Sequence, residues 1–177
     1  RMYKYFQAVT VYTYDGNGDL VQHANAVGNV SRFAYDRFHG LIDVQDFLVV
    51  PVGASSFAEA LEWAARVRAA TAEWLGRHGH DVALVADEGG LAARLPSNRA
   101  ALDALLEGIE RSGLEPGSQA AIAVDVAATQ LVADDGYAFA REDRSFRAAE
   151  LVEELAAWID DYPIVSIEDA LGEDDGE

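Results

Sequence analysis

From residue 41 onward, short apolar runs alternate with long amphipathic stretches that carry start and stop signals. No other feature constrains the fold as strongly. A strand-like run, Ile42–Gly53, precedes a helix expected over Phe57–Arg77. Ser56 is placed to cap that helix, and Glu59 three residues on completes a capping box. A strand follows at Val82–Ala86, then a helix over Asn98–Ser112 behind Ser97, then a strand at Ala120–Ala127. Asp134-Asp135-Gly136 turns a short hairpin. A helix over about Ala148–Asp160 and a strand at Ile164–Ile167 close the series, separated by Pro163. Strands alternating with helices imply an α/β fold, either a parallel sheet or a (β/α) barrel. The strands are apolar on both faces, as a sheet covered by helices requires.

Residues 1–40 have a different character. They are rich in Tyr, Phe, Asn and Gly and show no helical period. Tyr12-Thr13-Tyr14-Asp15 is echoed 21 residues later by Phe33-Ala34-Tyr35-Asp36. Aromatics alternating between Gly-Asn turns predict short hairpin strands. The pattern resembles the YD repeats of Rhs-type shell proteins. The chain therefore reads as a β-hairpin segment, 1–40, and an α/β segment, 41–177.

Four acids mark the α/β segment: Asp46, Glu88, Asp125 and Glu168, spaced by 42, 37 and 43 residues. Glu88, Asp125 and Glu168 are each expected at or near the C-terminal end of a strand, where α/β folds carry their chemistry. One such acid is more often a helix cap or a solvated turn. Three in succession favour a site, because a carboxylate at the end of an apolar strand is costly unless a cation meets it. Lys and Arg are sparse around these positions. Hard oxygen ligands favour Mg²⁺ or Ca²⁺ over zinc. Asp46 precedes its apolar run where the others follow theirs; an antiparallel strand would bring it back to the same end.

Composition narrows the function. A net charge of −18 argues against nucleic acid or anionic membrane as a partner. Without cysteine, neither a disulfide scaffold nor a thiolate metal site is possible. No apolar run reaches 18 residues and no signal peptide is visible, so a cytoplasmic location is expected. Asp15-Gly16-Asn17-Gly18-Asp19 resembles the start of a calcium loop, but Leu20 and Ala26 break the EF-hand pattern.

The same acids carry a resemblance to the enolase family. Asp43-Val44-Gln45-Asp46-Phe47-Leu48-Val49-Val50-Pro51-Val52-Gly53-Ala54 is similar to the family's D-I-Q-E-F-M-I-x-P-V-G-A. Asp87-Glu88-Gly89-Gly90, followed by Leu95-Pro96-Ser97-Asn98, resembles D-E-G-G-F-x-P-N-L-x-S-N. Asp125-Val126-Ala127-Ala128-Thr129 fits D-x-A-A-S/T, and Tyr162-Pro163-Ile164-Val165-Ser166-Ile167-Glu168-Asp169 fits Y-P-I-V-S-I-E-D. Four motifs in order over residues 41–175 make the resemblance specific.

The resemblance implies part of a ββαα(βα)₆ barrel whose second strand is antiparallel. It implies reversible dehydration of 2-phospho-D-glycerate to phosphoenolpyruvate in glycolysis, with Mg²⁺ offsetting the charge that develops. By position, Asp125 and Glu168 would be Mg²⁺ ligands. Glu88 would be the general acid, beside Asp87, and Gln45 and Asp46 would meet the substrate. Asp46 stands where the family has Glu, and Leu91, Ala93 and Arg94 replace its Phe, Pro and Asn. His39 lies six residues before Gln45; the family's active-site His sits further upstream in a segment not seen here. The family draws its third carboxylate and lysine base from sequence beyond this stretch, so the chain alone is expected to lack dehydratase activity. Family enolases are homo-oligomers. The competing reading is a YD-repeat shell or toxin-associated protein fused to an enolase-like segment.

Overall fold

The computed structural model describes residues 11–14, 20–24, 30–32, 44, 46–83, 85–86, 89–133 and 135–175. The chain divides into two units, 1–41 and 42–177. In the first, β1 (Val11–Tyr14), β2 (Leu20–Ala24) and β3 (Val30–Arg32) form an antiparallel meander in that order. Val11 pairs with Ala24, and Ala24 in turn with Val30. The turns expected at Asp15–Gly18 and Gly28-Asn29 lie outside the described residues.

The second unit is built on a sheet of β4 (Asp46–Val50), β5 (Ala121–Asp125) and β9 (Ile164–Glu168), with β5 in the middle. β4 runs antiparallel to β5, and β9 runs parallel to it. Between β4 and β5 come two helices in succession, α1 (Phe57–Arg77) and α2 (Asn98–Arg111). After β5 the chain makes a small sheet of β6 (Val132–Ala133), β7 (Gly136–Phe139) and β8 (Arg144–Phe146), then α3 (Ala148–Asp161). The order is that of a barrel of α/β type. Among the described residues its strands form the three-stranded sheet β4-β5-β9.

The strand expected at Val82–Ala86 is not formed by the described residues of that stretch. Among the described residues, 82–86 form only an isolated antiparallel bridge, Val85 to Leu91. The described residues of this run join none of the strands of that sheet. Glu88, expected at or near the end of that strand, lies outside the described residues. A short apolar run alone cannot distinguish a strand from a loop that tucks its apolar side chains.

The helices start as their sequences dictate. Ser56 Oγ accepts the Glu59 N–H at 3.2 Å, and Ser97 Oγ accepts the Ala100 N–H at 3.1 Å. The Glu59 carboxylate reaches one residue further back than a capping box predicts. It accepts the N–H and the hydroxyl of Ser55, at 2.7 and 2.6 Å. Trp63, Val67, Thr71 and Leu75 form a buried stripe at four-residue spacing along α1. Leu102, Leu105 and Ile109 on α2, and Leu151, Leu155 and Trp158 on α3, form buried stripes at spacings of three and four.

These stripes cover one face of the sheet. Ile122 and Val124 are buried in the centre, and Phe47, Val49, Ile164 and Ile167 pack beside them. Phe139 joins the small sheet to α3, with ring centroids 4.8 Å from Phe146 and 6.1 Å from Trp158.

Ile164 and Ile167 both face this core although they are three apart, which a regular strand forbids. A bulge resolves the conflict. The Ile122 N–H donates to the Pro163 carbonyl and the Val126 N–H to the Glu168 carbonyl, so β5 advances four residues while β9 advances five. The register shifts at that place, between Ile122 and Ala123.

Candidate functional site

Strand alternation puts Asp46, Leu48 and Val50 on the face of the sheet away from the core. Ala123, Asp125, Ser166 and Glu168 share that face. Along its edge, Asp46 pairs with Asp125 and Asp125 with Glu168. Three of the five site residues read from sequence therefore lie in one row at one end of the sheet. Because β4 is antiparallel, its first residue stands beside the last residues of β5 and β9. Gln45 and Glu88, with Asp87 and His39, lie outside the described residues.

The bulge is what brings Glu168 into this row. With Ile164 held in the core, an unbroken strand would put Glu168 on the core side and Ile167 on the open side. One extra residue reverses that parity.

The row is graded in exposure. Asp46 and Asp125 are half-buried and Glu168 is exposed. Neighbouring strands lie about 4.8 Å apart, so the backbones of Asp46 and Glu168 are about 10 Å apart, twice the separation of either from Asp125. No three acidic or histidine side chains gather around a common point among the described residues. Asp125 and Glu168 are paired on adjacent strands, close enough for two carboxylates to meet at one ion. No ion pair within the described residues engages either one. Two carboxylates with room for water suit a hard divalent cation such as Mg²⁺, which commonly binds through one or two carboxylates. One Asp125 oxygen is already committed, accepting the Ala127 N–H at 3.1 Å, which leaves the other for a ligand.

The backbone turns sharply just past both carboxylates. Ala127 and Asp169 each have φ of +47°, a left-handed conformation that costs a residue with a Cβ about 1–2 kcal/mol. The two strained turns hold each other: the Ala128 N–H donates to the Asp169 carbonyl at 3.0 Å. Such strain persists only where surrounding contacts over-determine it, and it concentrates at functional sites. Beyond it, Tyr137 of the hairpin is bonded to the chain that follows Glu168. Its hydroxyl accepts the Gly172 N–H at 2.7 Å and donates to the Asp175 carboxylate.

Asn98 supports the row from the other side. It is 5% exposed, and its Oδ1 accepts the Val44 N–H at 3.3 Å, two residues before Asp46. Its backbone N–H and Nδ2 both donate to Glu142 Oε1, at 2.8 and 3.0 Å. Arg144 then links Glu142 to Glu154 of α3, at 3.1 and 2.6 Å. The Arg144 guanidinium, with a further bond from the Trp158 indole, holds the Glu154 carboxyl below the usual carboxylate range. In the sequence, Asn98 stands in a motif and signals only the start of a helix. Tyr137 carried no sequence signal beyond its place after a Gly turn.

The family of the enolase C-terminal TIM barrel domain matches residues 34–177. The matched stretch contains all three acids of the row, both expected residues outside the described set, and the whole of the second unit.

Proposed function

The chain belongs to the enolase C-terminal TIM barrel family, and from that premise we propose that its site serves Mg²⁺-dependent, reversible dehydration of 2-phospho-D-glycerate to phosphoenolpyruvate. The observation that supports this reading most is the row Asp46–Asp125–Glu168, assembled from three strands by an antiparallel strand and a bulge. In this reading Asp125 and Glu168 hold the cation, and Asp46 and Gln45 meet the substrate one strand away. Glu88 protonates the departing hydroxyl. The cation, when bound, offsets the negative charge that grows on the substrate carboxylate as its neighbouring proton leaves. The chain's own part is to orient the carboxylates and to keep apolar side chains behind them, which strengthens their hold on a cation.

That proton requires a base. Residues 34–177 contain no lysine. The chain by itself is therefore expected to bind the cation and to form no phosphoenolpyruvate.

Thermal unfolding with added MgCl₂ tests the assignment. At ten times Kd, binding stabilises by about 1.4 kcal/mol, a rise of about 3–6 °C in Tm for a unit of this size. Asp125→Asn and Glu168→Gln should each abolish the rise, and Asp46→Asn should leave most of it. No rise at any Mg²⁺ concentration, or one that survives Asp125→Asn, would defeat the assignment. A coupled absorbance assay of the purified chain should show no product; phosphoenolpyruvate formation would overturn the account of the missing base.

A further inference from the structure

The segment after Glu168 is fastened to the segment after Asp125 at successive levels. The Val126 N–H donates to the Glu168 carbonyl and the Ala128 N–H to the Asp169 carbonyl, both at 3.0 Å. Further along, the fastening passes to a side chain. Tyr137 is 1% exposed, and its hydroxyl bonds both Gly172 and Asp175. The backbone at Gly172 comes so near that an added Cβ would lie 3.2 Å from that hydroxyl. Burial, and then the Asp175 carboxylate, push the Tyr137 pKa above the ordinary tyrosine value, so the hydroxyl stays a donor throughout neutral pH.

Glu168 needs such a fastening. It ends β9, an outer strand of the described sheet, and the bulge and the left-handed Asp169 on either side of it are both irregular. We propose that Tyr137 is a positioning residue for the cation site: by pinning Gly172 and Asp175 to the hairpin that follows Asp125, it keeps Glu168 opposite Asp125. This role rests on the reading of Asp125 and Glu168 as the cation-holding pair.

The test is calorimetric titration with MgCl₂ of the full chain and three variants, with amide exchange followed at Gly172. Tyr137→Phe should weaken Mg²⁺ binding by about tenfold, in the range found for groups that orient metal ligands. Gly172 should exchange faster in the same variant. Asp175→Ala, at an exposed position that does not threaten folding, should weaken binding in the same direction. Asp175→Asn removes the charge but keeps an acceptor for the hydroxyl, and should stay within about threefold of the parent. If Tyr137→Phe proves unfolded, the two Asp175 variants decide. Equal losses in Asp175→Ala and Asp175→Asn would overturn the positioning role, as would a folded Tyr137→Phe that binds Mg²⁺ like the parent. Asp125→Asn is the separate control. If it leaves Mg²⁺ uptake intact, the cation reading itself fails, and the role of Tyr137 with it.

Discussion

Gly108 lies where α2 crosses α1, and replacing it with alanine sets two effects of known size against each other. In the interior of a helix, Gly→Ala is favourable by about 1 kcal/mol. At Gly108, however, a Cβ would stand 1.8 Å from Thr71 Oγ1, 3.0 Å from Thr71 Cβ and 3.2 Å from Thr71 Cα. Rotating the threonine clears only the first contact, and would break the bond its hydroxyl makes to the Val67 carbonyl at 3.0 Å. The remaining contacts are with atoms the rotamer cannot move, so the helices must separate. Overpacking of this kind typically costs about 1–3 kcal/mol, and here it reaches backbone atoms, which puts it at the upper end. The net expectation is a loss of about 2 kcal/mol, or about 4–8 °C in Tm. Gly76 is the internal control. It lies in α1 with nothing within 4 Å of its added Cβ. Gly76→Ala should raise stability by about 0.5–1 kcal/mol. Urea unfolding followed by far-ultraviolet circular dichroism measures both. Adding Thr71→Ala to Gly108→Ala should recover about 1 kcal/mol, read as a coupling in a double-mutant cycle. A Gly108→Ala protein as stable as the parent would refute the close crossing of the two helices.

Two further outcomes follow from the polar layer behind the acid row. Asn98→Ala leaves the buried Val44 N–H without its acceptor, while Glu142 keeps the backbone N–H of residue 98 and Arg144, and should cost about 1–3 kcal/mol. Amide exchange at Val44 should rise more than at Val124, and equal rises would show that Asn98 does not act locally. Glu154 has its folded pKa depressed by the Arg144 hydrogen bond. Its contribution is therefore fully present above the unfolded carboxylate value of about 4.3 and is lost as pH falls through the lower folded value. Glu154→Gln should flatten the decline in urea midpoint below about pH 4.3 relative to the parent; an unchanged slope would sink the assignment.

The helices were legible because their signals are local. Ser56, Ser97 and the four-residue apolar spacing of α1 act within one or two turns, and the structure uses them as read. Asp125 and Glu168 were legible because a carboxylate ending an apolar run is costly without a purpose. The run at 82–86 reads as a strand, yet its described residues form only the Val85–Leu91 bridge, and nothing within five residues distinguishes the two uses. The same limit hid the bulge. Ile164, Val165, Ser166, Ile167 and Glu168 read as an ordinary strand, and only the demands of the core on Ile164 and Ile167 together reveal the extra residue.

By itself, then, the sequence determined which segments become helices, that the sheet is covered by them, and which acids are candidates for chemistry. These are matters of caps, periodicity and desolvation, each decided by near neighbours in the chain. Tertiary structure alone decided that Asp46, Asp125 and Glu168 form one row, because their side-by-side placement depends on strand direction and register across 122 residues. It also decided that Tyr137 and Asn98 stand behind that row, since a hydroxyl or an amide becomes a partner only once packing brings a distant backbone within hydrogen-bond reach.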